Sequence, residues 1–233
     1  MEDRKIKLTF FGDSICVGQG VSIYRSWINR IAESVDKFVG NYDFDVLVTN
    51  SSVNGRTTRQ ALEDMPYHIQ NSGVDILVVQ FGLNDCNYWQ SDRGVPRVSK
   101  DAYIANLEEI YCRGKKFGAK AVILNTNHPT TKSVIKMAHT DISYEESNDM
   151  YGDALRNKFS QYSNDLILVD VNKEFKSKCS TNSILAEMLL ADELHLSEKG
   201  HNEYYSIIYP IILKNIINIA KAKGWLDGDL TIS

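Results

Sequence analysis

The chain has 233 residues, 43% of them hydrophobic, which is enough apolar material for a sizeable core and too much for a disordered protein. Its 26 basic and 30 acidic side chains leave a formal charge of −4, so no basic surplus points to nucleic acid. No apolar run approaches the roughly 20 residues of a membrane-spanning helix, and the run behind the N-terminus is too short for a signal peptide, so a soluble, cytoplasmic protein is expected.

The first apolar run, Ile6 to Phe10, reads as a strand and stops at Phe11-Gly12-Asp13-Ser14-Ile15. A strand ending there sets the Ser14 hydroxyl at the carboxyl edge of a sheet, where open α/β folds gather their ligands. Ser14 is therefore the candidate nucleophile, and it needs a base, a group to orient the base, and donors for an oxyanion. Gly18-Gln19-Gly20 follows without the Gly-Lys-Ser/Thr ending of a phosphate loop, which speaks against a nucleotide. Ser22 is a candidate cap for a helix whose apolar face carries Tyr24, Trp27, Ile28, Ile31, Val35 and Phe38. Asp45 to Thr49 is the second predicted strand. The loop behind it contains Asn54-Gly55, where a glycine amide can approach a substrate oxygen with no Cβ in the way, an ordinary turn glycine being the alternative. Thr57 or Thr58 caps the next helix, which ends or bends at Pro66.

Val74 to Phe81 is apolar at nearly every position, as a strand covered on both faces requires, and it delivers Gly82-Leu83-Asn84-Asp85 to the same edge as Ser14. The Asn84 amide can donate to an oxyanion without changing protonation state, whereas Asp85 reads as a local backbone hydrogen-bonder. The loop from Cys86 to Arg97 is long and carries Tyr88, Trp89, Arg93 and Arg97. These four can stack on a sugar ring or hold an anion; the alternative has tucked aromatics and solvated arginines. Ser99 opens a helix through Tyr103, Leu107, Ile110 and Tyr111, and Ala121 to Leu124 is a fourth strand with His128 beyond its end. His128 rivals for the base role but has no aspartate at the expected spacing, and reads as a pocket histidine. Helical spacing returns between Asp141 and Tyr162, and Leu166 to Val169 makes the fifth strand. Glu174 to Ser183 reads as irregular, Ile184 to Leu190 as a short helix, and Asp192-Glu193-Leu194-His195 as the loop before a last helix capped by Ser197. The tail from Gly224 is expected to be loosely attached. Nothing marks a domain boundary, so residues 1–233 are expected to form one domain.

In this order, Gly12-Asp13-Ser14, Gly55, Gly82-Leu83-Asn84-Asp85 and Asp192-Glu193-Leu194-His195 resemble the motifs of the SGNH hydrolases, the GDSL esterase/lipase family, and they span most of the chain. The resemblance implies that Ser14 attacks an ester carbonyl, that His195 is its base and that Asp192 orients His195. It also implies an oxyanion hole made of the Ser14 and Gly55 amides and the Asn84 side chain. Asp13, Asn54, Trp89, Arg93 and His128 are candidate substrate contacts. Five strands alternating with helices imply a parallel sheet with helices on both faces. The resemblance adds the strand order 2-1-3-4-5 and a three-layer α/β/α, flavodoxin-like sandwich. The four cysteines, Cys16, Cys86, Cys112 and Cys179, lack the close pairing of a zinc or redox motif, so neither a metal nor a cofactor is expected. The expected activity is that of a serine ester hydrolase working through an acyl-enzyme. The polar, aromatic, arginine-bearing loop after Asp85 favours a small acyl group, such as acetyl, on a carbohydrate over a long-chain lipid. The alternatives are an acyltransferase on the same residues and a non-catalytic ligand-binding module on the same scaffold.

Overall fold

The apolar runs form the strands β1 (Lys5–Gly12), β2 (Asp45–Asn50), β3 (Ile76–Gln80), β4 (Ala121–Asn125) and β5 (Leu166–Val169) of a computed structural model that describes residues 4–179 and 181–226. Between and after them run the helices α1 (Ser14–Val17), α2 (Trp27–Val39), α3 (Thr58–Met65), α4 (Lys100–Lys116), α5 (Tyr144–Phe159), α6 (Val171–Lys178), α7 (Asn182–Glu187) and α8 (Glu198–Ala222). The strands lie in the order β2-β1-β3-β4-β5 with every neighbouring pair parallel, as expected. The chain steps one way from β1 to β2 and the other way from β3 through β5. Right-handed crossovers then put α2 on one face and α3, α4 and α5 on the other. The packing agrees, with α2 against α8, α3 against α4, and α4 against α5. The direction of winding reverses at β1 and β3, where Gly12 pairs with Gln80, and this opens a crevice at their carboxyl ends.

The core locks the first loop to the last helix. Trp27 is fully buried, edge-on to Phe10 with ring centroids 5.3 Å apart and 4.6 Å from Tyr204 of α8, and its indole N–H donates to the Ile15 carbonyl at 2.9 Å. Burial of such a ring contributes on the order of 4 kcal/mol. His201 of α8 is buried, and its Nδ1 accepts the Trp27 amide at 3.3 Å.

Caps at Thr57, Ser99 and Ser197 sit where the sequence puts them. Three expectations change. Ser26, not Ser22, caps α2, because a single 3₁₀ turn over Ile23–Arg25 intervenes. Most of Glu174 to Ser183 is helical: Asp170 caps α6, Thr181 caps α7, and only Val171, Asn172 and Phe175 of α6 are buried, too few for a visible apolar period. Ser180 and residues 227–233 lie outside the described residues. The start of the tail is docked, with Leu226 buried and Trp225 lying 6.0 Å from the Phe44 ring. Among the described residues no helix is long and apolar enough to cross a membrane, no cluster of metal-ligating side chains occurs, and the four cysteines are free.

Gly12 marks the end of β1 because nothing larger fits. A Cβ there would lie 2.5 Å from Cys16 Sγ and 2.7 Å from the Gln80 carbonyl oxygen, which is backbone and cannot step aside. Gly12→Ala is expected to cost about 1–3 kcal/mol, read as a lower urea midpoint, through overpacking. An unchanged midpoint would show that the crevice floor is looser than described.

Candidate active site

The site starts from the cap of a short helix. Asp13 leaves β1 in an extended conformation and its Oδ1 accepts the Ile15 amide at 3.0 Å, which turns the chain into α1 with Ser14 as its first residue. A first-turn amide has no intrahelical acceptor, so the Ser14 N–H is available to a ligand. Its hydroxyl lies 2.9 Å from His195 Nε2, across 181 positions of sequence.

His195 is held in a tight loop between α7 and α8. The amides of Leu190 and Ser197 donate to the carbonyls of His195 and Met188 across an antiparallel bridge between Leu189 and Leu196. Glu193 takes a left-handed φ of 62°, which lets Asp192 fold back over the turn. Asp192 Oδ1 accepts the Leu194 and His195 amides at 3.0 and 2.9 Å, and its Oδ2 lies 2.5 Å from His195 Nδ1. Partial burial alone would push the Asp192 carboxyl up, but His195 and the two amides outweigh it and hold the group below the usual carboxylate range. An ionised carboxylate only accepts, so the proton sits on Nδ1 and the bare Nε2 faces the Ser14 hydroxyl. That is the tautomer a general base requires.

Two further donors stand at the same sheet edge. Gly55 lies in an exposed turn with φ of +74°, a conformation that suits glycine, and its amide makes no hydrogen bond among the described residues. Asn84 leaves the end of β3, and its Nδ2 donates to the Arg56 carbonyl at 3.2 Å and, weakly, to Asp13 Oδ2 at 3.4 Å. A serine with an oriented base, beside backbone and amide donors at a helix start, is suited to acyl transfer. The sequence model of the GDSL-like lipase/acylhydrolase family matches residues 10–202, a span that contains all of these groups.

The chain belongs to the GDSL-like lipase/acylhydrolase family. One relative, an arylesterase from Vibrio mimicus, is 27% identical over 123 residues, which are 53% of this chain and 56% of that protein, so the match spans little more than half of that relative's length. Among solved structures, an acetyl xylan esterase shares the fold at a TM-score of 0.71 and 19% identity over 89% of this chain and all of its own. An acetylxylan esterase from Geobacillus stearothermophilus does so at 0.67 and 21%, over 93% of this chain and 96% of that one.

Within this family member the expected contact residues fall in different places. Asn54 is exposed in the Gly55 turn, Trp89 is half-exposed, and Arg93 is exposed at a left-handed turn with φ of 50° that carries it along the surface. Asp13 and His128 lie deeper, and both are fully buried. Asp13 is occupied by Ile15 and Asn84, while His128 Nε2 donates to the Leu194 carbonyl at 2.9 Å and so ties down the backbone next to His195. Burial lowers the His128 imidazole to about 4, consistent with a neutral ring. The residue that sequence reasoning undervalued is Arg97: its Nη1 reaches the Gly55 carbonyl at 3.2 Å and Asn84 Oδ1 at 3.4 Å. Asp85 is also not local in its bonding. It accepts the Thr58 amide at 3.0 Å, at the start of α3.

Asp13 and Asp85 put two carboxyls beneath the crevice. Burial pushes Asp13 up to about 7, the Ile15 amide opposing and the nearby Asp85 charge adding, and burial pushes Asp85 up to about 6. The folded protein therefore keeps the Asp13 proton to about pH 7, whereas an ordinary carboxyl releases it near 3.8. The contribution of Asp13 to stability is complete below that lower value and is lost as pH rises through the higher one. Asp13→Asn keeps an oxygen for the Ile15 amide and removes the titration. Between pH 4 and 8 the wild type is expected to lose a few kcal/mol relative to this variant in urea melts. Parallel stability curves would contradict the burial of an ionisable group there.

Proposed function

We propose that the protein is a single-domain serine ester hydrolase that works through an acyl-enzyme and removes a small acyl group, such as acetyl, from a carbohydrate or similar small molecule. The observation that carries this reading is the hydrogen-bonded series from Ser14 Oγ to His195 Nε2 at 2.9 Å and from His195 Nδ1 to Asp192 at 2.5 Å. In the proposed first step His195 takes the Ser14 proton as the oxygen attacks the ester carbonyl, and Asp192 stabilises the imidazolium so formed. The Ser14 and Gly55 amides and Asn84 Nδ2 bind the oxyanion, each donor worth about 10²–10³ in kcat. His195 returns the proton to the leaving alcohol as the tetrahedral species collapses. Water, activated in the same way, then releases the acid and restores Ser14.

The substrate reading is supported by the loop after Asp85. It borders a groove of about 470 Å³ lined by Arg59, Trp89, Asp92, Val95, Pro96, Arg97 and Ser99, in which charge and an aromatic face outnumber aliphatic side chains. Such a surface suits hydroxylated rings better than a long acyl chain. The acetylxylan esterases that share the fold are named for this kind of bond; for this chain the argument rests on its own residues. A cytoplasmic setting belongs to the same reading and suits four free cysteines, two of them buried.

Ser14→Ala is expected to lower kcat for a nitrophenyl acetate by about a thousand-fold or more with an unchanged melting temperature. Across acetyl to palmitoyl nitrophenyl esters the wild type is expected to prefer acetyl. Full activity of the variant would overturn the nucleophile, and preference for palmitoyl would overturn the substrate class.

A further inference from the structure

Two of the three proposed oxyanion donors are badly constrained by their own surroundings. Gly55 sits on an exposed turn where even an added Cβ would meet no atom within 4 Å. Asn84 ends in an amide that could rotate by half a turn, presenting its oxygen where an N–H is needed. An oxygen there would repel the developing charge it is meant to bind.

A single guanidinium nitrogen addresses both weaknesses. Arg97 Nη1 donates to the Gly55 carbonyl at 3.2 Å and to Asn84 Oδ1 at 3.4 Å. On the other edge of the amide, Asn84 Nδ2 meets two acceptors, the Arg56 carbonyl and Asp13 Oδ2. Rotating the amide would set its oxygen against the Arg56 carbonyl and its NH₂ against a cation. Arg97 is itself restrained, because its amide donates to the Asn87 carbonyl at 3.0 Å and its guanidinium stacks 4.1 Å from the centroid of the Trp89 ring. Among the described residues it forms no close ion pair, and the Asp85 and Asp92 carboxyls act on its charge from further away.

We propose that Arg97 is a positioning residue of the oxyanion hole, fixing the Gly55 turn and the orientation of the Asn84 amide so that their N–H groups face the carbonyl attacked by Ser14. The proposal rests on the ester-hydrolase reading and adds a role that the motifs do not contain. Donors to an oxyanion act only once the carbonyl has been attacked, so misplacing them lowers kcat and leaves KM nearly unchanged.

The test is a double-mutant cycle on a nitrophenyl acetate. Arg97→Met is expected to lower kcat about 10- to 100-fold with KM within about two-fold and an unchanged melting temperature. Arg97→Lys, which keeps one charged donor, is expected to recover part of the loss. In an Asn84→Ala background Arg97→Met is expected to cost at least about five-fold less than in the native one, because the amide it orients is gone. Equal losses in both backgrounds, or a raised KM with unchanged kcat, would overturn the proposal. A wild type that neither turns over the ester nor reacts at Ser14 with a fluorophosphonate would count against the ester-hydrolase reading itself. An active wild type with an unaffected Arg97→Met counts against the positioning role alone.

Discussion

The bond from His195 to Ser14 joins residues 181 positions apart, and it cannot hold itself together. A hydrogen bond adds only about 1 kcal/mol net to stability, while closing so long a loop costs several times that. The closure must therefore be supplied by the scaffold. It comes from α8, which follows His195 directly and packs on α2, β1 and β3, and from the Trp27 contacts with Phe10, Tyr204, His201 and the Ile15 carbonyl. The core on one face of the sheet thus sets the distance across which a proton would pass. On the other side of the loop His128 performs the finer adjustment, gripping the Leu194 carbonyl from the end of β4.

The second constraint is electrostatic. Two carboxyls, Asp13 and Asp85, are buried beneath the Asn84 amide, and each is committed to the start of a helix: Asp13 to α1 and Asp85 to α3. Burying them is unfavourable, which is why both resist ionisation, yet the two helix starts carry Ser14 and the end of the Gly55 loop. Stability is given up where the site is shaped, a common arrangement around perturbed acids. Arg97 supplies the opposite charge on the far edge of the same amide.

Much of this was legible in the sequence because it depends on local rules. The mostly apolar run from Val74 into Gly82 marks β3 as a central strand, the serine and threonine caps mark helix starts, and four ordered segments point to one edge of a parallel sheet. What was not legible depends on contacts between distant segments. Arg93 and Arg97 look equivalent in the loop after Asp85, yet a left-handed turn at Arg93 sends it outward while Arg97 folds over Trp89 toward Gly55. His128 and Asp13 look like pocket residues by position, but His128 Nε2 is turned inward to the Leu194 carbonyl and Asp13 Oδ2 to the Asn84 side chain, partners that only the folded chain brings near. The α6 helix was hidden because it buries a single turn of apolar residues against α8.

The central claim is that Ser14 is a nucleophile made reactive by His195. Incubation with a fluorophosphonate followed by mass spectrometry of the digested protein measures this directly. The account predicts one adduct, on the peptide containing Ser14, formed quickly in the wild type and at least about a hundred-fold more slowly in His195→Ala. An adduct on another residue, or equal rates in the two proteins, would contradict it.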